Sequence, residues 1–289
     1  MKKKILQVVS RPGRYGMVGD GFRVFNYFPG MISDRKLVSP FLMLDFNPAY
    51  DFGPSDQPRG VDVHPHKGFE TVTIAYQGSV AHHDSSGNSG VIHPGDVQWM
   101  TAGAGILHKE YHETKFSKSG GPFEMVQLWV NLPKKDKLTP PKYQALEAAK
   151  MNKVTLPENG GYVNIIAGEL NGVTGSATTF TPINVYDVKL NANGSLEFET
   201  PEKHNTFILV INGKVEVNGE AADTHQFVIF KNEGESISIK AETNSVLLVL
   251  SGEPIDEPIA QYGPFVMNTQ EELQEAFQEY QSGKFGVLN

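Results

Sequence analysis

The chain contains no cysteine. That excludes disulfides, Cys-ligated zinc, iron–sulfur clusters and thiol catalysis, and it fits a reducing compartment. An excess of positive charge is also lacking. The 25 Lys and Arg residues stand against 33 Asp and Glu, giving a formal net charge of −8. A duplex-binding surface needs a basic face for phosphates, and so does an anionic membrane surface. Direct nucleic-acid binding and membrane attachment are therefore not expected. No apolar run approaches the roughly 18 residues of a spanning helix. The N-terminal Lys2-Lys3-Lys4-Ile5-Leu6-Gln7-Val8-Val9 briefly imitates a signal peptide before Ser10-Arg11-Pro12-Gly13-Arg14 ends it. The expectation is a soluble cytoplasmic protein, or a nuclear one if the source is eukaryotic.

A length of 289 residues points to two domains or one large β domain. The 29 Gly and 18 Pro residues mark many turns. Between them lie short segments rich in Val, Ile, Phe and Thr. Residues 69–76 form one, closed by Gln77-Gly78, and residues 125–132 another, closed by Pro133. Residues 206–217 read as a hairpin over Asn212-Gly213, and residues 245–250 as a late strand. Short strands at close spacing mean a sandwich or barrel. Helix signals are few. Residues 143–150 read as a short linker helix. At the end, Thr269-Gln270-Glu271-Glu272 is a capping box, and Leu273, Ala276, Phe277 and Tyr280 follow at helical spacing up to a stop at Gly283.

The two halves look like unequal copies of one plan. A hairpin read at residues 74–80 precedes Pro94-Gly95-Asp96-Val97 and then the strand at 125–132. Residues 209–215 precede Phe227-Val228-Ile229-Phe230 and then 245–250. Between the copies, Lys134, Lys135 and Lys137 read as a solvated connector running to Pro140-Pro141. The expected boundaries are 1–133 and 134–289.

Seven of the nine histidines fall between 64 and 112. In His64-Pro65-His66 the two imidazoles are at i and i+2, so on a strand they share a face and can bite one metal ion. His108-Lys109-Glu110 repeats the spacing with one carboxylate. If the strands face each other, three His and one Glu converge, a donor set suited to Fe(II), Mn, Ni, Cu, Co or Zn. Residue types alone leave rivals. His112 shares the face of His108 and Glu110 and could replace either. Glu70 could be ligand or base. His82 and His83 read as a polar loop, His93 as exposed at a turn, and His204 and His225 as structural or exposed.

At these residues the chain resembles the pirin family of the cupin superfamily. His64-Pro65-His66-Lys67-Gly68-Phe69-Glu70-Thr71-Val72-Thr73 is similar to the family's first signature. The run from Pro94 to Glu110, Pro94-Gly95-Asp96-Val97-Gln98-Trp99-Met100-Thr101-Ala102-Gly103-Ala104-Gly105-Ile106-Leu107-His108-Lys109-Glu110, is similar to its second. Residues 262–269 resemble its C-terminus, and Lys67 stands where many members carry Arg. The resemblance implies an all-β bicupin: two tandem jelly-roll β-barrels with a linker helix and a C-terminal helix, and a metal in the N-terminal barrel only. It implies His64, His66, His108 and Glu110 as ligands, Fe(II) as the usual metal, and Glu70 as a non-ligand.

The function implied is a metal-dependent dioxygenase opening flavonols such as quercetin with O₂, like the bacterial pirin-like quercetin 2,3-dioxygenases. Glu110 or Glu70 would be the base; Met43, Phe46, Phe69, Trp99 and Met125 are candidates for pocket wall, although such residues are more often plain barrel core. The alternative is a metal- or redox-sensing regulatory protein that acts on a protein partner without turnover. A monomer is expected.

Overall fold

The computed structural model describes residues 1–288. No helix among the described residues is long and apolar enough to cross a membrane. The chain divides into two compact units. One comprises residues 12–35, 41–148 and 255–289, and the other residues 1–11, 36–40 and 149–254. This is not the division expected at 133/134. The first strand Ile5–Val9 pairs with Phe227–Phe230, so it belongs with the second copy. The C-terminal helix Gln270–Gln281 belongs with the first copy, where it packs with Phe265, Met267 and Phe285.

Each unit has a seven-stranded and a four-stranded antiparallel sheet. In the histidine-rich unit the large sheet runs Lys142–Leu146, Val97–Thr101, Phe69–Gln77, Gly121–Asn131, Phe41–Phe52, Phe22–Phe28, Gly16–Val18. The small sheet runs Gly60–His66, Ile106–His112, Val80–Asp84, Ser89–Ile92. The second unit repeats the plan, with Phe227–Phe230, Asn205–Asn212, Ser245–Gly252 and Ile183–Leu190 adjacent in its large sheet. The two-copy reading and the bicupin-type architecture both hold. Among the described residues no sheet closes on itself, and two further two-stranded sheets, Glu169–Leu170 with Val173–Thr174 and Ala260–Tyr262 with Phe265–Met267, accompany the large ones. Residues 206–217 show how the pairs are connected. They form no hairpin. Asn205–Asn212 pairs in the large sheet and Lys214–Val217 in the small one, so the chain changes sheet at Gly213, whose φ is +100°. Gly78, at φ +73°, separates Phe69–Gln77 from Val80–Asp84 in the same way.

The interior of the second unit is apolar. Leu196, Phe198, Ile237 and Ile239 of its small sheet pack against Val188, Ile208, Val210 and Val249 of the large one. Their alternation along each strand puts one face inward.

Two further expectations change. Residues 143–150 are not a helix. Lys142–Leu146 pairs with Val97–Thr101 as a sheet edge, and only a 3₁₀ turn, Ala148–Lys150, follows. Lys137 is not solvated. It is 1% exposed, and its Nζ donates to Gly68 O, Asn131 Oδ1 and Val266 O. Burial pushes its pKa down, to about 7. The C-terminal helix is as expected, with the Thr269–Glu272 capping box formed and Leu273 and Ala276 buried.

Candidate metal centre

His64 and His66 lie two residues apart on Gly60–His66, so their side chains leave the same face. The neighbouring strand Ile106–His112 places His108 directly opposite His64. One ligand atom from each imidazole can be chosen so that all three lie within 4.8 Å of one another.

The hydrogen bonding at these rings fits a cation. His64 Nδ1 lies 2.8 Å from the backbone oxygen of Asp62. A carbonyl only accepts, so Nδ1 carries the proton and Nε2 keeps a free lone pair. His66 Nδ1 and both nitrogens of His108 are buried with no partner in the protein. Buried polar atoms normally have partners, and a cluster of orphaned imidazole nitrogens is what a metal ion satisfies. Burial, reinforced by the neighbouring imidazoles, holds the pKa values of His66 and His108 well below the ordinary value. The rings are therefore neutral, the form that ligates.

Glu110 sits beside this triad. Its Oε2 is 4.0 Å from His108 Nε2, and its Oε1 accepts from Thr73 Oγ1 at 3.2 Å. Burial raises its pKa to about 7 against that hydrogen bond. A cation next to it would favour the carboxylate.

The triad opens on a cavity of about 400 Å³, within the roughly 300–1,000 Å³ of small-molecule sites. His64, His66 and Glu110 line one side. Met43, Asp45, Asn47, Met125, Gln127 and Trp129 line it from the large sheet. The middle of that sheet carries a row of polar residues in register: Gln98, Thr73, Gln127, Asp45 and Asn26. Thr73 Oγ1 also lies 2.9 Å from Gln127 Oε1, so its single proton is shared between that oxygen and Glu110 Oε1, and Asn26 Nδ2 donates to Asp45 Oδ1 at 2.6 Å. Counting from Gly78 and Gly213, Thr73 corresponds to Ile208. The row through Ile208 is Val228, Ile208, Val249, Tyr186 and Ile165, all in the core of the second unit. One architecture thus holds a polar interior in one copy and an apolar one in the other.

Two family models match the chain: Pirin over residues 21–130 and the Pirin C-terminal cupin domain over 185–286. A rat protein named pirin is 36% identical over 292 residues, covering 99% of this chain and 94% of its own length. The chain belongs to the pirin family. Among solved structures, a quercetin 2,3-dioxygenase from Acinetobacter baumannii is 48% identical, with a TM-score of 0.93 and full coverage of both chains. A bacterial pirin from Escherichia coli, solved with nickel(II), shares the fold at 21% identity and a TM-score of 0.64, over 86% of this chain and all of its own.

In this pirin the other candidates part company with the triad. Glu70 and Thr73 are three residues apart on one strand, so they face opposite ways. Thr73 meets Glu110, whereas Glu70 is 1% exposed and accepts from Thr101 Oγ1 at 2.7 Å. Glu70 is absent from the cavity lining. His112 is fully buried among Phe22, Phe52, Phe116 and Phe123, and its Nε2 is 2.8 Å from Gly21 O. It is a core residue. His82 and His83 are on the strand Val80–Asp84 rather than in a loop, and His82 is 7% exposed, beside Glu110 in register. His93 is exposed. His204 is buried, with Nδ1 3.2 Å from Ser251 Oγ, and His225 Nδ1 lies 3.3 Å from Arg11 Nη1. Of the expected wall residues, Met43 and Met125 line the cavity; Phe46, Phe69 and Trp99 are core.

The sequence reading missed Thr73, Asp45, Asn47, Gln127 and Trp129. A signal was present. Met43, Asp45 and Asn47, and Met125, Gln127 and Trp129, are alternate positions on otherwise apolar strands, which puts polar groups on an inward face.

Proposed function

We propose that this pirin is a metal-dependent dioxygenase that opens flavonols such as quercetin with O₂. His64, His66, His108 and Glu110 would hold the metal, with Fe(II) as the working ion. The observation that carries the reading is the convergence of three neutral imidazoles, two with unpartnered nitrogens, on one end of an aromatic- and methionine-walled cavity. The likeness to the Acinetobacter quercetin 2,3-dioxygenase supplies the substrate class.

A bound divalent ion would supply positive charge that favours the deprotonated enol of the substrate, together with the redox chemistry that dioxygen requires. The chain supplies the rest. The Asp62 carbonyl fixes the His64 tautomer. Thr73 orients the Glu110 carboxyl, which accepts the proton of the substrate's 3-hydroxyl. Met43, Met125 and Trp129 hold the flat aromatic skeleton and exclude water from it. We read each pair of sheets as a two-sheet jelly roll of the cupin type.

The test is oxygen uptake. Quercetin is mixed anaerobically with Fe(II)-loaded protein, air is admitted, and metal-free protein and the His66→Ala variant serve as controls. Uptake by the loaded wild type alone supports the assignment. No uptake with metal confirmed bound would overturn it.

A further inference from the structure

The floor of the cavity is a ladder of three rungs. Trp129 pairs with Met43, Gln127 with Asp45, and Met125 with Asn47. His66 packs edge-on against Trp129, with ring centroids 5.3 Å apart, so the first rung marks the histidine end. Glu110 meets Thr73, which is in register with Gln127, so Glu110 stands over the second rung. The third rung is two residues further along, about 7 Å.

Asn47 is 2% exposed, it lines the cavity, and neither Nδ2 nor Oδ1 has a partner in the protein. Met125 opposite it, and Phe22 and Val24 elsewhere in the same lining, have no side-chain N–H or O–H to donate. An orphaned amide in such a place costs stability unless a ligand supplies the missing partners. We propose that Asn47, with Asp45 beside it, is the subsite that hydrogen-bonds a hydroxyl-bearing ring of an aromatic substrate at the end of the cavity away from the histidines. This deepens the flavonol reading and rests on it.

The chemistry selects the ligand group. An amide offers a donor and an acceptor together, and a hydroxyl is the small neutral group that answers both. An anionic substituent is disfavoured, because Asp45 and Glu110 line the same cavity and no Lys or Arg does among the described residues. An unsubstituted ring would leave the amide unpaired, and sites built to bond a hydroxyl discriminate strongly against analogues that lack it.

The experiment compares two 3-hydroxyflavones under nitrogen, one with hydroxyls on the pendant ring and one with that ring bare. Binding to metal-loaded protein is followed by fluorescence titration. Wild type should bind the hydroxylated compound at least about ten-fold tighter. Asn47→Leu should lose that preference, and a far-UV circular dichroism spectrum matching that of wild type shows that the variant is folded. Should Asn47→Leu not fold, Asn47→Asp keeps the shape and an acceptor but no amide donor, and should show a reduced preference. Equal binding of the two compounds by wild type, or a preference that survives unchanged in the Asn47 variants, overturns the subsite and leaves the flavonol reading standing. Failure of metal-loaded wild type to bind either compound would overturn the flavonol reading, and the subsite with it.

Discussion

Lys67 Nζ lies 2.8 Å from Glu279 Oε2, which ties the residue immediately after the His64–His66 pair to the C-terminal helix. The same ammonium donates to Ala104 O at 2.7 Å, reaching into the glycine-rich turn before His108. Two acceptors in different directions suit a compact ammonium, so the lysine here does its work without the planar fork of arginine. Glu279→Gln should lower stability by about 1 kcal/mol, read as a lower urea midpoint at unchanged m-value. High salt should shrink the difference, because Glu279 is partly exposed.

The histidines should separate cleanly by role. His66→Ala and His108→Ala should lose bound metal and turnover together, measured as metal content after gel filtration. His112→Ala should retain metal but lose about 2–4 kcal/mol of stability, since it empties a site packed by four phenylalanines. His204→Ala should leave metal content unchanged; loss of metal there would contradict a single site.

Thr73→Val keeps the side chain's shape and removes the hydroxyl that lies within hydrogen-bond distance of both Glu110 and Gln127. Stability should fall by about 1–3 kcal/mol, while metal is retained because Thr73 is not among the proposed ligands. Circular dichroism melts and metal analysis on one preparation check both halves of the statement.

Glu70 makes stability depend on pH in a stated direction. Burial raises its pKa from 4.5 to about 7, partly opposed by the Thr101 hydrogen bond. Between those values the folded protein holds the proton and the unfolded chain releases it, so raising the pH through this window costs stability. Glu70→Gln removes that loss. In metal-free protein the variant should gain on wild type from pH 4.5 to pH 7, by on the order of 2 kcal/mol. Urea denaturation at pH 5 and pH 8 reads the slope. A variant that loses ground as pH rises would contradict the burial argument.

The strands, the final helix and the convergent histidines were legible because each has a local signature. Residues 69–76 are rich in β-branched and aromatic residues and stop at Gln77-Gly78, Thr269–Glu272 cap, and His64 and His66 share a face by spacing alone. What failed was non-local. Gly78 and Gly213 each mark a turn, but nothing adjacent tells whether the next strand folds back as a hairpin or joins the other sheet. Lys137 looked solvated because its neighbours are charged, while its three acceptors lie at residues 68, 131 and 266. Glu70 and Glu110 are alike in type and burial, and only their facing separates them, through Thr101 on one side and Thr73 on the other.

The exchange of chain ends between the two units sets the order in which the metal centre can be finished during synthesis. All the proposed ligands have left the ribosome long before residue 265 does. Yet Lys67 is held by backbone and side-chain bonds to Pro264, Val266 and Glu279, and Phe285 packs over Gly105. The nascent chain therefore carries its ligands without this bracing until the helix Gln270–Gln281 is released. A fragment ending at residue 133 would lack those bonds to Lys67 altogether.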